Sequence, residues 1–134
     1  MAAALAVSPH WSAGYIGLPW VLGASDCACL AVRVQREVFG REIGLPTDRC
    51  GAAGDWAARI ADLAADYATP IAEPHEGCGV LVRVLGADCH FGTAARIAGE
   101  WWVLHTLERH GAVLHRARDF RRLGMRIEGW WAWR

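Results

Sequence analysis

The sequence lacks a net charge, because 14 basic residues balance 14 acidic ones. A neutral chain has no overall field to attract nucleic acid or an anionic membrane, so direct nucleic-acid binding is not expected. No apolar run is long enough to span a bilayer, which predicts no transmembrane segment. The apolar residues 1–7 lack the basic flank and the length of a secretory signal. We therefore expect assembly in the cytoplasm, with any later export by another route.

The sequence also lacks a Cys-x-x-Cys pair, and its five cysteines have irregular spacings. This pattern predicts neither a disulfide framework nor a zinc finger, and it suits a reducing compartment. Cysteine and histidine are both metal ligands. Cys89 and His90 are adjacent in the chain, and together with Cys78 they could bind a metal ion. Neighbours on a strand point to opposite faces, however. We therefore expect no metal and no cofactor.

The length and composition fit one globular domain over residues 1–134, with 54% hydrophobic and 21% charged residues. Helices are predicted over residues 2–15, from Ser25 or Asp26 to near Gly40, and over residues 55–67. Trp11, Tyr15 and Ile16 are expected to face the core. The third helix rests on an apolar stripe of Trp56, Ile60, Leu63 and Tyr67, which Thr69-Pro70 ends.

The second half of the chain contains short segments rich in β-branched and aromatic residues, separated by Gly or Asp turns. The predicted strands are Gly79–Leu85, His90–Ile97, Trp101–Leu107, Ala112–Arg116 and Met125–Trp133. Helices followed by strands predict an α+β domain, with N-terminal helices packed on one face of a C-terminal antiparallel sheet.

The end of the chain is rich in arginine and tryptophan. The arginines form either a solvated face or a surface that steers an acidic partner, and the tryptophans either pack on the sheet or dock onto another protein. The arginines are Arg116, Arg118, Arg121, Arg122, Arg126 and Arg134, and the tryptophans are Trp130, Trp131 and Trp133.

Cys27 is predicted to lie in the first turn of a helix. Gly17, Pro19 and Gly23 break regular structure before it, and Ser25 or Asp26 can cap the helix. The positive end of the helix dipole lowers the pKa of a thiol there, and the backbone N–H of Cys27 could hold an oxyanion. A cysteine among apolar neighbours is, however, more often a small buried residue. A nucleophile also needs a base and a group that orients the base.

Two histidines could supply those groups. His90 opens one predicted strand and His105 lies late in the next, so an antiparallel pair can bring them into contact. Gly92 and Ala94 follow His90 with period two, and they are predicted to form a bare strip against which the Cys27 helix packs. Each histidine alone is more often a surface or satisfied core residue.

These segments together resemble a known family. The stretch Tyr15-Ile16-Gly17-Leu18-Pro19-Trp20, with Gly23, Asp26-Cys27 and Leu30, resembles the nucleophile segment of the NlpC-type cysteine endopeptidases, which are papain-like. His90-Phe91-Gly92 resembles their His-x-Gly strand, and Leu104-His105 matches their third catalytic position. The order agrees from Tyr15 to His105, and the chain is most similar to short peptidases of phage tails and gene transfer agents.

The resemblance implies roles for particular residues. Cys27 would be the nucleophile, His90 the general base and then acid, and His105 the residue that orients His90. A thiolate and imidazolium pair would supply the nucleophile and the proton for the leaving amine. Trp20 and Asp26 would assist at the oxyanion or the substrate groove.

The resemblance also implies a substrate and a location. The substrate would be a peptidoglycan stem peptide, cut between D-glutamate and a diamino acid. The enzyme would be held by tail-tip or hub proteins of a phage-like particle and would act at the target cell wall during DNA delivery.

Two departures from the family pattern keep other functions open. Ala28-Cys29 replaces the usual Ser-Gly after the nucleophile, and Cys78 stands where Asp is common. One alternative is a catalytically inactive tail-tip assembly protein with the same fold. Another is an acyltransferase or amidase that acts on a different acyl donor.

Overall fold

A six-stranded antiparallel sheet forms the body of the protein in a computed structural model that describes residues 9–21, 23–45, 65–84 and 89–134, apart from the side chain of residue 89. The strands are β1 (Ala68–Ile71), β2 (Gly79–Val84), β3 (Cys89–Ile97), β4 (Glu100–Leu107), β5 (Gly111–Arg116) and β6 (Met125–Trp133). Their order in the sheet is β1-β6-β2-β3-β4-β5. The long helix of the described residues is α1 (Cys27–Phe39), and short 3-10 helices span Trp11–Tyr15, Ala117–Asp119 and Arg121–Leu123.

The predicted α+β class and all five predicted strands are confirmed. The prediction missed β1, where Pro70 lies in a strand at the edge of the sheet. An edge strand tolerates proline because one side of its backbone needs no ladder partner. Residues 65–67 are helical, whereas the rest of the predicted helix over 55–67 lies outside the described residues.

The first predicted helix is corrected in its described part. Residues 1–8 lie outside the described residues, and the remainder forms the 3-10 helix Trp11–Tyr15. Tyr15 is buried and Trp11 packs beside it. Ile16 is 51% exposed, so its predicted place in the core is wrong; the chain leaves the helix there in an extended conformation.

The two faces of the sheet carry separate apolar clusters. The face that packs on α1 is called the helix face here, and its strand residues include Leu81, Phe91, Leu104, Ala112 and Trp133. The opposite face is called the far face, and it packs Val80, Val82, Ala94, Val103 and Met125 against Phe120. The pairs Leu81–Phe91 and Ala94–Val103 agree with this division, because paired residues in an antiparallel ladder share a face.

The prediction that α1 packs against a strip formed by Gly92 and Ala94 is wrong. Ala94 belongs to the far-face cluster, and a Cβ at Gly92 would meet Val103 Cγ1 at 2.5 Å and His105 Cβ at 3.2 Å. Gly92 therefore allows close approach of β4, not of α1. Phe91, which precedes Gly92 and points to the opposite face, belongs to the cluster that includes α1.

The arginine-rich segment forms surface ion pairs. Arg116 and Arg122 both contact Asp119 at 2.9 Å, and Arg118 contacts Glu100 at 3.1 Å. Exposed pairs of this kind each contribute about 0–1 kcal/mol. These contacts agree with a solvated face.

The C-terminal tryptophans pack on the sheet. Trp133 is buried in the helix-face cluster and Trp131 packs against that cluster, while Trp130 packs against the far-face cluster. The sheet-packing interpretation is confirmed for these residues. None of the helices in the described part of the chain has the length and apolarity needed to cross a bilayer.

Candidate active site

The start of α1 places Cys27 at the first helical position. Asp26 is the N-cap: its Oδ1 accepts from Cys29 N at 3.1 Å and its Oδ2 accepts from Gly23 N at 2.7 Å. Gly40, with φ 63°, ends the helix in the left-handed conformation that suits glycine. The predicted bounds of this helix and its capping residue are confirmed.

Cys27 lies near the first part of β3. It is 5% exposed and belongs to the helix-face cluster with Leu81 and Phe91. Further along α1, Gln35 Nε2 donates to Gly77 O at 2.8 Å, and Gly77 N donates to Ala94 O at 2.9 Å. The helix therefore follows β3 with its N-terminus beside the start of the strand, where His90 is located.

His90 and His105 form the contact predicted for them. The distance from His90 Nε2 to His105 Nδ1 is 2.9 Å, and the ring planes differ by 10°. Coplanar rings at this distance suit an in-plane N–H···N hydrogen bond. Each imidazole in a neutral pair has one donor and one acceptor nitrogen, so the bond fixes which nitrogen of His90 remains available.

His115 extends this contact into a chain of three histidines, which the sequence analysis missed. The distance from His105 Nε2 to His115 Nδ1 is 3.0 Å. Strand β5 pairs His105 with Val113 and His115 with Val103, so His105 and His115 lie diagonally on one face. The sequence did contain a signal for this contact. Residues 113 and 115 are two positions apart on the strand that follows β4, so their side chains share one face.

Burial keeps the three linked histidines uncharged near neutral pH. It lowers the pKa of His90 to about 4. It also holds the pKa of His105, which is 0% exposed, well below the ordinary value, with added repulsion from His90 and His115. The pKa of His115 is lowered by burial and by His110, against an opposing effect of Asp119. Desolvation disfavours the charged imidazolium, so at least His90 and His105 are neutral at pH 7.

The histidines and Cys27 approach the sheet from different sides. The pairing of His90 with Val82 assigns His90 to the far face, and the ring of His105 lies 5.3 Å from that of Phe120 on the same face. Cys27 packs with the helix face. The structure thus brings the two predicted histidines into contact, but it places Cys27 and those histidines on opposite faces of the sheet and does not bring the predicted three side chains together.

Asp26 and Trp20 have different surroundings. Asp26 is fully buried and both carboxylate oxygens accept backbone N–H groups. It caps α1 and has no exposed surface in this structure, and its predicted substrate or oxyanion role stays a prediction. Trp20 is half-buried in the segment before α1, and its role at the groove stays a prediction.

The other described thiols are poor nucleophiles. Burial and a hydrogen bond to Asp26 raise the pKa of Cys29 to about 11, and burial raises the pKa of Cys78. A thiol with a raised pKa is protonated at neutral pH and reacts slowly. Within residues 9–21, 23–45, 65–84 and 89–134, no three His, Cys, Asp or Glu side chains are grouped to hold a metal ion.

Comparison of the chain with protein-family models and with curated proteins gives no match.

Proposed function

We propose that the protein is a papain-like cysteine peptidase that hydrolyses a peptide bond in peptidoglycan stem peptides. The observation that carries the proposal is the hydrogen bond between His90 Nε2 and His105 Nδ1. A base that uses one ring nitrogen for orientation keeps the other for the nucleophile. Nδ1 of His90 is therefore the atom that would receive the proton of the Cys27 thiol.

The reaction begins from a neutral pair. Because burial lowers the pKa of His90 to about 4, the resting ring is a neutral imidazole and not the imidazolium expected from the sequence. Nδ1 of His90 takes the thiol proton as the sulfur of Cys27 attacks the carbonyl carbon. The proton then passes to the leaving amine, which departs and leaves a thioester.

A water molecule completes the cycle. Nδ1 of His90 takes a proton from the water, the resulting hydroxide attacks the thioester carbonyl, and the proton returns to the departing sulfur. His105 holds the ring of His90 in one orientation throughout. The N-terminus of α1 would favour negative charge on the sulfur and on the carbonyl oxygen, because its backbone N–H groups carry partial positive charge.

The meeting point of Cys27 and His90 would be the start of β3. In the described ladder, β3 and β4 pair from Thr93–Leu104 to Ile97–Glu100, so His90 lies before the paired positions begin. This arrangement leaves side-chain contacts, and not a backbone ladder, between His90 and His105. Because His90 and Cys27 lie on opposite faces of the sheet, the proposed proton transfer requires the first part of β3 to turn the ring of His90 toward α1.

The resemblance to NlpC-type peptidases suggests the bond and the setting. We propose cleavage between D-glutamate and a diamino acid, by an enzyme carried at the tail tip of a phage-like particle to the wall of a target cell. The partners would then be the stem peptide and a tail-tip or hub protein.

Digestion of purified peptidoglycan tests the activity. Wild-type protein should release stem-peptide fragments, and Cys27→Ala should release none. Cys29→Ala is the matched control, since it removes a thiol from the same helical turn and should keep the activity. Equal fragment release by wild type and Cys27→Ala would contradict the proposal. Product masses also test transfer, because an acyltransferase adds its acceptor to the acyl fragment and a hydrolase adds water.

An inactive tail-tip assembly protein is the second candidate. The observation that favours it is the burial of Cys27 at 5% exposure in the helix-face cluster, away from the far-face histidines. Alkylation with iodoacetamide separates the two. A catalytic Cys27 should react faster than Cys29 and should slow when His90 is replaced by Gln. A purely structural Cys27 should react no faster than Cys29 and should not respond to His90→Gln.

A further inference from the structure

We propose that His115 is a positioning residue, which fixes the tautomer of His105 and thereby that of His90; its catalytic consequence rests on the peptidase function proposed above. Two contacts join the three imidazoles in a row. His90 Nε2 lies 2.9 Å from His105 Nδ1, and His105 Nε2 lies 3.0 Å from His115 Nδ1. His105 uses both of its ring nitrogens in these contacts and is fully buried.

Each neutral imidazole has one N–H and one acceptor nitrogen. The three linked histidines therefore have only two possible arrangements of their protons. In one, His90 Nε2–H donates to His105 Nδ1, and His105 Nε2–H donates to His115 Nδ1. In the other, every donor and acceptor is exchanged, so that His90 carries its proton on Nδ1. Only the first arrangement leaves a lone pair on Nδ1 of His90, as a base for Cys27 requires. The acceptor state of His115 Nδ1 therefore selects the competent form of His90.

The surroundings of His115 allow this acceptor state. Unlike His105, His115 is partly exposed, and it lines a cavity of about 410 Å³ together with His110, Val113 and Met125. With Nδ1 accepting from His105, the proton of a neutral His115 lies on Nε2, and the partly exposed ring can donate that N–H in a hydrogen bond to solvent. The ring of Phe120 lies 6.3 Å away at 84° and limits rotation of the imidazole.

Two substitutions at His115 separate positioning from packing. Asn in place of His keeps an acceptor oxygen near the position of Nδ1, whereas Leu fills similar space without an acceptor. His115→Leu leaves His105 Nε2–H without its acceptor and favours the exchanged arrangement, which blocks Nδ1 of His90. A wrong tautomer in a related triad costs up to about 10⁴-fold in kcat, and at this further position we expect a loss of about tenfold or more. His115→Asn should restore kcat to near the wild-type value, and KM should change little in either variant.

The direct measurement is the ¹⁵N chemical shift of each imidazole, which distinguishes the two tautomers with or without activity. Wild-type His90 and His105 should carry protons on Nε2, His115→Leu should shift His90 toward the Nδ1–H form, and His115→Asn should not. His110→Gln is the control, because His110 lines the same cavity outside the chain of three histidines. An Nδ1–H form of His90 in the wild type, or an unchanged tautomer in a folded His115→Leu variant, would overturn the proposal. If the tautomers behave as expected and no variant cleaves peptidoglycan, the peptidase function fails and the positioning role stands.

Discussion

The two faces of the sheet differ in the chemistry they bury. On the helix face, α1 packs aliphatic and aromatic side chains against Phe91 and Leu104. On the far face, a fully buried phenylalanine, Phe120, lies beside the buried imidazole of His105. The helix face thus stabilises the fold through apolar contact, whereas the far face also holds a chain of polar rings. Buried polar groups are tolerated only when they are hydrogen-bonded, and His105 meets this condition through the two histidines on either side of it.

This difference shows how the domain can keep polar rings in a stable core. The three neutral imidazoles form hydrogen bonds with one another, so burying them on the far face costs little free energy. The cost appears when a ring becomes protonated or a partner is removed.

The largest expected effect is the loss of either buried phenylalanine. Phe91 and Phe120 are each 1% exposed, on the helix face and the far face. Replacing either by Ala should lower the free energy of unfolding by about 3–5 kcal/mol, measured by urea denaturation. Only Phe120→Ala should change the imidazole NMR signals of His105. A shift of that signal in Phe91→Ala, with none in Phe120→Ala, would reverse the assignment of the faces.

Acidification should weaken the far face. The pKa of His90 is about 4 in the fold and about 6.5 in an unfolded chain, so the unfolded state binds more protons between these values. The stabilisation is fully present above about pH 6.5 and is lost as the pH falls toward 4; it is on the order of 2–3 kcal/mol. Urea denaturation at several pH values measures it.

Variants identify the group that causes this pH dependence. His90→Gln should reduce the fall of unfolding free energy between pH 6.5 and 4 relative to the wild type, and the remainder should come from His105, whose pKa burial also lowers. His75→Gln removes an exposed histidine and is the control. If the two variants keep the same pH dependence, burial of His90 does not contribute to it.

Replacing a glycine by alanine should reduce stability by different amounts on the two faces. At Gly92, a Cβ would meet Val103 Cγ1 at 2.5 Å and the carbonyl oxygen of Leu104 at 3.0 Å. The backbone oxygen cannot move without disturbing β4, so Gly92→Ala should cost about 1–3 kcal/mol and displace His105. At Gly79 the nearest atoms belong to the ring of Trp133, which can rotate slightly, so Gly79→Ala should cost less. A larger thermal destabilisation by Gly79→Ala would contradict this account.

The smallest effect should come from the cap of α1. Asp26→Ala removes a side chain that accepts two backbone hydrogen bonds, and the loss of an N-cap costs about 0.5–2 kcal/mol. Asp26→Asn keeps one acceptor oxygen and should cost less. Neither variant should change the imidazole signals of the far face. A cap variant that altered the signal of His105 would show that the two faces are coupled through the helix.

Much of the fold could be predicted because its signals are local. The glycines and proline before Asp26, the cap itself and the glycine at position 40 bound α1 correctly. The alternation of β-branched and aromatic residues gave five strands, and the order of β3 and β4 gave the contact between His90 and His105. Each of these depends on residues close together in the chain or joined by one tight turn.

Other features depend on the packing of distant segments. The sequence marked Pro70 as the end of a helix, but pairing with β6 places it in an edge strand. Gly92 was predicted to allow close packing of α1, but a side chain at this position would point toward Val103 and His105. Local pattern gives the alternation of side chains along a strand, and only the assembled layers decide which face meets the helix.

The sequence by itself determined the extents of α1 and of five strands, and it determined that two histidines would meet, because short-range backbone preferences and a single hairpin suffice for these. The tertiary structure decided that His115 joins them, that burial keeps the rings neutral, and that Cys27 reaches the sheet from the side opposite to the histidines. Burial and strand order arise from contacts across the whole sheet, and no local stretch of residues encodes them.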